Sequence, residues 1–215
     1  MSYPILYSFK RCPYAMRARM ALNLAEIKCE IREIRLSNKP EQMLEASPKG
    51  TVPILILEDK VIDESYDIVN WVIEENNIFN DNLGSDLIDL TESLIKKFDD
   101  EFKHHLDRYK YTTRYENTES DFHRAECLKI LGDLEAIASN DKWIFGENLN
   151  KLDISILPFI RQFRIANPEW FDSLKEISRI KKILNNYLDS EEFKKIMFKY
   201  DEWELGAKPV YFPPT

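Results

Sequence analysis

The sequence predicts a chain of two parts, an α/β segment followed by an all-helical segment. Residues 1–76 alternate short apolar runs with stretches of helical periodicity, which is the order expected of a small mixed sheet with helices on its faces. Residues 84–215 show helical spacing of apolar side chains along most of their length. Residues 77–83 are polar and lack a helical pattern, so we assign them as the linker between two domains.

Each element of the first segment has its own signal. Residues 29–36 alternate apolar and charged side chains, which predicts a half-buried strand, and the continuous apolar run 52–57 predicts a buried one. Ser37 or Asn38 is the expected cap of the short helix after 29–36, and Ser65 is the expected cap of the last helix. In chain order we predict strand 4–9, helix 13–26, strand 29–36, helix 40–46, strands 52–57 and 60–62, and helix 65–75.

The second segment is predicted to contain only helices. Leucines and phenylalanines between Leu87 and Phe102 recur at helical spacing, which predicts a long first helix. Asn150 and Asp153 precede an apolar run, and their spacing predicts a capping box in which each side chain accepts a backbone N–H of the other residue. Further helices are predicted at 121–139, 171–188 and 190–198, and the proline-rich end 206–215 is expected to be extended.

Composition and charge narrow the range of functions. The 215 residues are 44% hydrophobic, which is enough for one large or two modest cores. A formal net charge of −8 without a basic stripe argues against a nucleic-acid partner. No apolar stretch approaches the ~20 residues of a membrane-spanning helix, and the first residues lack the features of a signal peptide, so we expect no membrane association. The absence of a Gly-rich loop argues against a nucleotide cofactor.

The cysteines indicate the redox environment. Cys12, Cys29 and Cys127 are odd in number and widely spaced, which argues against a disulfide framework and favours a reducing, cytoplasmic location. Cys29 and Cys127 lie among apolar neighbours, so we interpret both as structural.

The histidines do not suggest a metal site. His104 and His105 are adjacent, so their side chains point about 100° apart on a helix. His123 belongs to a different predicted helix. Since no cluster of Cys and His has ligand spacing, we expect no bound metal.

Cys12 is the candidate reactive residue. Proline is favoured at the first position of a helix, so Pro13 places Cys12 where the first strand ends and the first helix begins. A thiol there faces unpaired N–H groups and the positive end of the helix dipole, which favour the reactive thiolate. Residues 1–39 hold eight Lys or Arg and three Glu, so this region is positive in an acidic protein. The alternative is a buried cysteine that packs as a small hydrophobic residue.

Four segments together resemble the glutathione transferase family. Residues 12–19 (Cys-Pro-Tyr-Ala-Met-Arg-Ala-Arg) resemble the active-site turn of its omega class and of bacterial cysteine-type relatives. Residues 49–53 (Lys-Gly-Thr-Val-Pro) resemble the loop before its cis-proline, residues 63–65 its acidic-Ser motif, and residues 145–153 its capping box. The resemblance implies a thioredoxin-like domain in the first segment, the family's helical domain in the second, and a homodimer.

The resemblance also implies a site for glutathione as a co-substrate. Val52 before a cis-Pro53 would pair with the tripeptide backbone as an added strand. Glu64 would bind the γ-glutamyl ammonium, Ser65 its carboxylate at a helix N-terminus, and Lys39 the glycyl carboxylate. The alternatives are that Val52 is only a strand residue, that Ser65 only caps its helix and that Lys39 is only solvated.

The residue types at the turn favour thiol transfer. Ala15 stands where a second cysteine would complete Cys-x-x-Cys, so dithiol chemistry is not expected. Cys12 stands where a glutathione-activating Tyr or Ser would otherwise act, and a cysteine thiolate readily forms a mixed disulfide with glutathione. The implied reactions are deglutathionylation and dehydroascorbate-type reduction. The alternatives are glutathione conjugation to electrophiles and a non-catalytic binding or regulatory protein.

The second substrate is expected between Cys12 and the helical domain, where the resemblance implies a pocket for a small electrophile or disulfide. The sequence does not identify this substrate. The candidate lining residues are Tyr14, Arg108, Tyr109, Tyr111 and Phe159.

Overall fold

A computed structural model of the chain describes residues 3–79, 84–116 and 119–214. The chain forms two compact units. The first contains Met1–Asn80 together with Asp189–Thr215, and the second contains Asp81–Leu188. The predicted linker 77–83 falls at this division, and its residues 80–83 lie outside the described ranges.

The described part of the first unit is built on one sheet of five strands. The strands are β1 Ile5–Ser8, β2 Cys29–Glu33, β3 Ile54–Ile56, β4 Val61–Ile62 and β5 Tyr211–Phe212. Their order in the sheet is β4-β3-β1-β2-β5. β1 pairs parallel to β2 and antiparallel to β3, which in turn pairs antiparallel to β4. Every strand predicted for this unit is present, although each is shorter at its ends than the apolar pattern.

The three predicted helices of this region are also present, but both predicted caps are wrong. Pro40 holds the N-cap position of the short helix without a side-chain bond, because the helix begins at Glu41 and Asn38 lies in the preceding turn, where its N–H donates to the Arg35 carbonyl at 3.0 Å. Glu64 is the N-cap residue of the last helix, and Ser65 is its first helical residue. These helices are α1 Pro13–Leu24, α2 Glu41–Ala46 and α3 Ser65–Asn76.

The described residues of the second unit form helices and loops, apart from one isolated bridge. The predicted long helix is confirmed as a continuous helical run that contains a π-helical segment, Phe98–Phe102. The predicted helix 171–188 is instead two helices, because the backbone is extended at Leu174. No helix in the described ranges is both long and apolar enough to cross a membrane. The helices are α4 Ser85–Lys97, α5 Lys103–Lys110, α6 Ser120–Ile137, α7 Lys151–Ala166, α8 Pro168–Ser173 and α9 Ser178–Asp189.

The C-terminal segment belongs to the first unit, although we predicted it as part of the helical domain. Its helix α10, Glu191–Ile196, packs against α1, and its strand β5, Tyr211–Phe212, pairs antiparallel with β2. The Trp203 N–H donates to the Glu33 carbonyl at 2.8 Å. The free edge of β2 explains this return, because its unpaired backbone groups need partners.

The predicted capping box at the start of α7 is confirmed. The Asn150 side-chain oxygen accepts the Asp153 N–H, and the Asp153 carboxylate accepts the Asn150 N–H at 3.0 Å and the Ile144 N–H at 2.9 Å. Asp153 is fully buried, and this burial raises the pKa of its carboxyl to about 7, against the lowering effect of the two N–H donors. One side chain therefore holds both the preceding loop and the helix start.

We expect Asp153→Asn to lower the melting temperature by roughly 5 °C, because one oxygen becomes an amide NH₂ that leaves a buried N–H unpaired at a cost of ~1–3 kcal/mol. Thermal unfolding followed by circular dichroism measures this. The matched control is Asp141→Asn, whose carboxylate is 56% exposed, and it should shift the melting temperature by less than about 2 °C. Equal shifts in the two variants would contradict the role given to Asp153.

Candidate active site

Cys12 lies at the junction of β1 and α1, as predicted. It is the N-cap residue of α1, with extended backbone angles (φ −77°, ψ 124°), and its carbonyl accepts the Met16 N–H at 3.0 Å. Its N–H donates to the Phe9 carbonyl at 2.9 Å, which fixes the preceding turn. The side chain is half-buried, so the sulfur rests against the core of the unit and still reaches solvent.

Val52 lies directly beside this sulfur. Cys12 Sγ is 3.7 Å from the Val52 carbonyl oxygen, to which the thiol form donates a weak hydrogen bond. The Val52-Pro53 peptide bond is cis, as the resemblance implied. The candidate nucleophilic sulfur and the backbone expected to bind glutathione are thus neighbours, although 40 positions separate them in the sequence.

Lys39 reaches toward the same loop. Gly50 has φ +60°, a backbone conformation that residues other than glycine rarely adopt. A Cβ at this position would lie 3.2 Å from Lys39 Nζ. The lysine amine therefore lies over Gly50, two residues before Val52. Lys39 is exposed, and no carboxylate within the described ranges pairs with its amine.

Glu64 has a cationic partner that the sequence did not reveal. Lys49 Nζ donates to Glu64 Oε1 at 2.6 Å and to Asp63 at 3.1 Å, and these bonds raise the pKa of the lysine. Ser47 donates to the other Asp63 oxygen at 2.6 Å, and this bond lowers the pKa of the Asp63 carboxyl. An ammonium group that binds Glu64 must therefore share this carboxylate with Lys49 or displace it. Lys49 belongs to the segment 49–53, which resembles the family's loop before its cis-proline. That resemblance gave no role to the Lys49 side chain.

Ser65 and Tyr14 are both connected to Arg17. The Arg17 guanidinium lies 5.6 Å from the centroid of the Tyr14 ring, and its Nη1 donates to the Ser65 hydroxyl at 3.3 Å. Ser65 is buried at the N-terminus of α3. The structure therefore places a guanidinium next to the serine that was expected to receive the γ-glutamyl carboxylate.

Arg19 corrects the interpretation of the positive region around Cys12. Its side chain is fully buried and forms an ion pair with Glu33, and it also donates to the Ser8 hydroxyl at 2.8 Å and to the Ile196 carbonyl at 2.9 Å. Burial lowers the pKa of this guanidinium, and Glu33 opposes that effect. The other Glu33 oxygen accepts the Lys10 N–H at 2.6 Å. Arg19 thus acts on Cys12 indirectly, by holding the turn that leads to it.

The other two cysteines are buried, as predicted. Burial raises the pKa of the Cys29 thiol to about 12 and also raises the pKa of the Cys127 thiol. Both therefore remain protonated at neutral pH, and neither sulfur faces solvent. Among the three cysteines, Cys12 alone combines access to solvent with a helix N-terminus.

Comparison with known proteins identifies the family. The sequence profile described as "Glutathione S-transferase, N-terminal domain" matches residues 6–78. The "Probable glutathione S-transferase parA" of Nicotiana tabacum is 30% identical over 165 residues, which cover 74% of this chain and 72% of the tobacco protein. The chain belongs to the glutathione S-transferase family.

Two further relatives indicate which class of the family the chain resembles. The "Probable glutathione S-transferase DHAR2, chloroplastic" of Oryza sativa subsp. japonica is 22% identical over 209 residues, 92% of this chain and 70% of the rice protein. "Glutathione S-transferase omega-1" of Mus musculus is 44% identical over 50 residues, 23% of this chain and 21% of the mouse protein. They support the omega-like character predicted from residues 12–19.

Solved structures confirm the fold. Glutathione transferase Omega 3C from Trametes versicolor has a TM-score of 0.76 at 18% identity, over 94% of this chain and 92% of that one. A glutathione transferase family member from Pseudomonas fluorescens, solved with two glutathione bound, has a TM-score of 0.77 at 16% identity, over 91% and 92%. The predicted fold class, a thioredoxin-like domain followed by a helical domain, is therefore correct.

The candidate pocket residues of this glutathione S-transferase that lie in the second unit have partners of their own. Arg108 lies 4.5 Å from the centroid of the Tyr115 ring. Tyr109 packs edge-on against Phe163 at 5.5 Å. Tyr111 lies beneath the Arg114 guanidinium at 4.2 Å, and Phe159 is fully buried. Their role in binding a second substrate stays a prediction.

Proposed function

We propose that this enzyme is a glutathione-dependent thiol transferase whose nucleophile is the Cys12 thiolate. The observation that carries the proposal is the 3.7 Å separation between Cys12 Sγ and the Val52 carbonyl oxygen beside the cis-Pro53 bond. A tripeptide paired with the Val52 backbone would bring its own cysteine sulfur next to Cys12. This arrangement favours disulfide exchange between the two sulfurs.

The described side chains supply a complementary charge at each end of glutathione. Lys39, which has no acidic partner in the described parts of the chain, would bind the glycyl carboxylate. At the other end, the N-terminus of α3 and the Ser65 hydroxyl would receive the γ-glutamyl carboxylate, with Arg17 adjacent. Glu64 would bind the ammonium and give up part of its contact with Lys49.

The proposed reaction consists of two successive thiol–disulfide exchanges. The Cys12 thiolate attacks the glutathione sulfur of a glutathionylated substrate, forms a Cys12–glutathione disulfide and releases the substrate as a thiolate, which takes a proton from water. A second glutathione, as its thiolate, then attacks the glutathione sulfur of that disulfide. Glutathione disulfide leaves and the Cys12 thiolate is regenerated. A second glutathione is needed because Ala15 cannot act as a resolving thiol.

An intact-mass measurement after treatment with glutathione disulfide tests the nucleophile. We expect wild type to gain one glutathionyl group per chain, and Cys12→Ser to gain none, because the buried thiols of Cys29 and Cys127 stay protonated. The matched controls are Cys29→Ser and Cys127→Ser, which should both keep the adduct. An adduct that persists in Cys12→Ser, or that never forms on wild type, would contradict the proposal.

We also propose that the enzyme works as a homodimer in the cytoplasm. No disulfide links Cys12, Cys29 or Cys127 in the described parts of the chain, which suits a reducing compartment. Light scattering on the purified protein gives the oligomeric state directly, and a mass equal to one chain would contradict the dimer.

A further inference from the structure

The three histidines of the chain come together on two neighbouring helices. His104 and His105 lie in the first turn of α5, and His123 lies in the first turn of α6. One nitrogen from each ring lies within 4.8 Å of a nitrogen of each of the others. The geometric argument that excluded a metal from the sequence is therefore wrong, because α6 packs against α5 and brings His123 to the adjacent pair.

We propose that His104, His105 and His123 form a binding site for one divalent ion of the zinc type, which would connect α5 to α6. Imidazole nitrogen is a preferred ligand of zinc, and three protein ligands with an open fourth position are a known arrangement. Zn–N bonds of ~2.0–2.1 Å in a tetrahedron place two ligand nitrogens ~3.3 Å apart. In the structure the Nδ1 atoms of His105 and His123 are hydrogen-bonded at 2.8 Å, and one nitrogen of each of the three rings lies within 4.8 Å of the others, so small shifts of the side chains reach that spacing.

An ion can reach this cluster from solvent. His104 is exposed, and His105 and His123 are half-buried. The Phe122 ring lies 5.9 Å from the His105 ring and 5.2 Å from the His123 ring, so an aromatic side chain borders the cluster on one side. Each of the three side chains is thus at least partly open to solvent, with the exposed Phe122 ring beside two of them.

The charges around the cluster act in both directions. Glu101 and Glu126 have carboxylate oxygens within 4.8 Å of a His105 nitrogen, and their negative charge favours a dication. Arg108 opposes it, because its Nη1 lies 2.9 Å from His104 Nδ1 and its positive charge repels a cation. Metal binding through His104 Nδ1 would therefore require the Arg108 guanidinium to move away from that atom.

Titration of the tag-free, chelator-treated chain tests the site. Calorimetry with zinc, and visible absorption with cobalt as the spectroscopic probe, are carried out without glutathione and in the Cys12→Ser background, which removes the accessible thiol. We expect one ion per chain, with a nitrogen-ligand cobalt spectrum. Loss of a supporting group alone costs ~10–100-fold in affinity, so His105→Gln and His123→Gln should each weaken binding by more than about a hundredfold.

Two further variants test the competing guanidinium and the alternative ligand set. Arg108→Met should tighten zinc binding, because it removes the competing guanidinium. Glu126→Gln tests the alternative ligand set of Glu101, His105 and Glu126. It should weaken zinc binding by only about tenfold, the lower end of the cost of losing a supporting group, since in the proposed site its carboxylate is not a ligand. No stoichiometric binding by the Cys12→Ser parent, or a loss in Glu126→Gln that exceeds the loss in His123→Gln, would overturn the proposal.

Folding of the variants is checked in the same experiment. Zinc that binds only the folded chain should raise the melting temperature of the Cys12→Ser background. It should leave the melting temperature of the His123→Gln variant unchanged, while that variant melts as cooperatively as its background without zinc. A rise of equal size in both would place the ion elsewhere and overturn the site.

Discussion

Replacement of Cys12 by serine is expected to lower the rate of glutathione-dependent thiol transfer by on the order of 10³-fold or more, because loss of a nucleophile removes the covalent step itself. A serine hydroxyl at the start of α1 has the same backbone position but cannot form a disulfide. The rate of reduction of a glutathionylated peptide, measured with excess glutathione, gives the effect. The KM for glutathione should change little, since Lys39, Val52 and Ser65 are unaltered.

Two controls make this result specific. Cys29→Ser removes a thiol that burial keeps protonated, so its thiol-transfer rate should equal that of wild type within about twofold. Glutathione conjugation to a chlorinated aromatic electrophile, assayed in parallel, tests the other chemistry of the family. If Cys12→Ser retains thiol transfer, or if wild type conjugates glutathione faster than it exchanges disulfides, the thiol-transferase assignment is wrong.

Local sequence signals were enough to predict the helix start that carries Cys12. Pro13 and the apolar spacing after it placed Cys12 at a helix start, and the structure has this helix start at the predicted residue. The capping box of Asn150 and Asp153 was predictable for the same reason, because its partners are three residues apart and depend only on helix geometry. In both cases the preference is set by neighbours in the chain, and here the sequence and the structure agree.

Partners distant in sequence could not be predicted in this way. A count of charges treats Arg19 as part of a positive surface, but α1 is enclosed by α3 and α10, so this side chain is buried and paired with Glu33. The contact between Lys49 and Glu64 likewise depends on how the chain turns between them. The charge of a residue does not determine whether its side chain is exposed, because tertiary packing decides that.

The histidine cluster also depends on a contact between residues that are distant in sequence. Adjacent positions on a helix point about 100° apart, but the His104 and His105 rings lie 5.1 Å apart between centroids, so that angle did not keep their nitrogens from one cluster. The position of His123 depends on how far α6 is displaced along α5, and side-chain spacing within either helix carries no information about that displacement. Only the packed pair of helices shows that the three rings meet.

Because the Arg19 side chain is fully buried, Arg19→Met is expected to destabilise the first unit strongly. It leaves Glu33 partly buried without its ion-pair partner, and it removes the donors to Ser8 and to the Ile196 carbonyl of α10. Removal of one member of a buried ion pair costs ~3–5 kcal/mol. The melting temperature, measured by circular dichroism, should therefore fall by about 10 °C.

The matched control is Arg35→Met, which breaks an ion pair of the same chemistry with Glu202. The Arg35 side chain is 72% exposed, so water screens that pair and the melting temperature should change by less than about 3 °C. Combining Arg19→Met with Glu33→Met should recover part of the lost stability, because the stranded carboxylate is then gone and apolar groups fill its place. If Arg19→Met and Arg35→Met melt alike, the buried pair does not hold α10 and the turn before Cys12 in place. If the double variant is as unstable as the sum of its single changes, the loss comes from the contacts to Ser8 and Ile196 rather than from the unpaired charge.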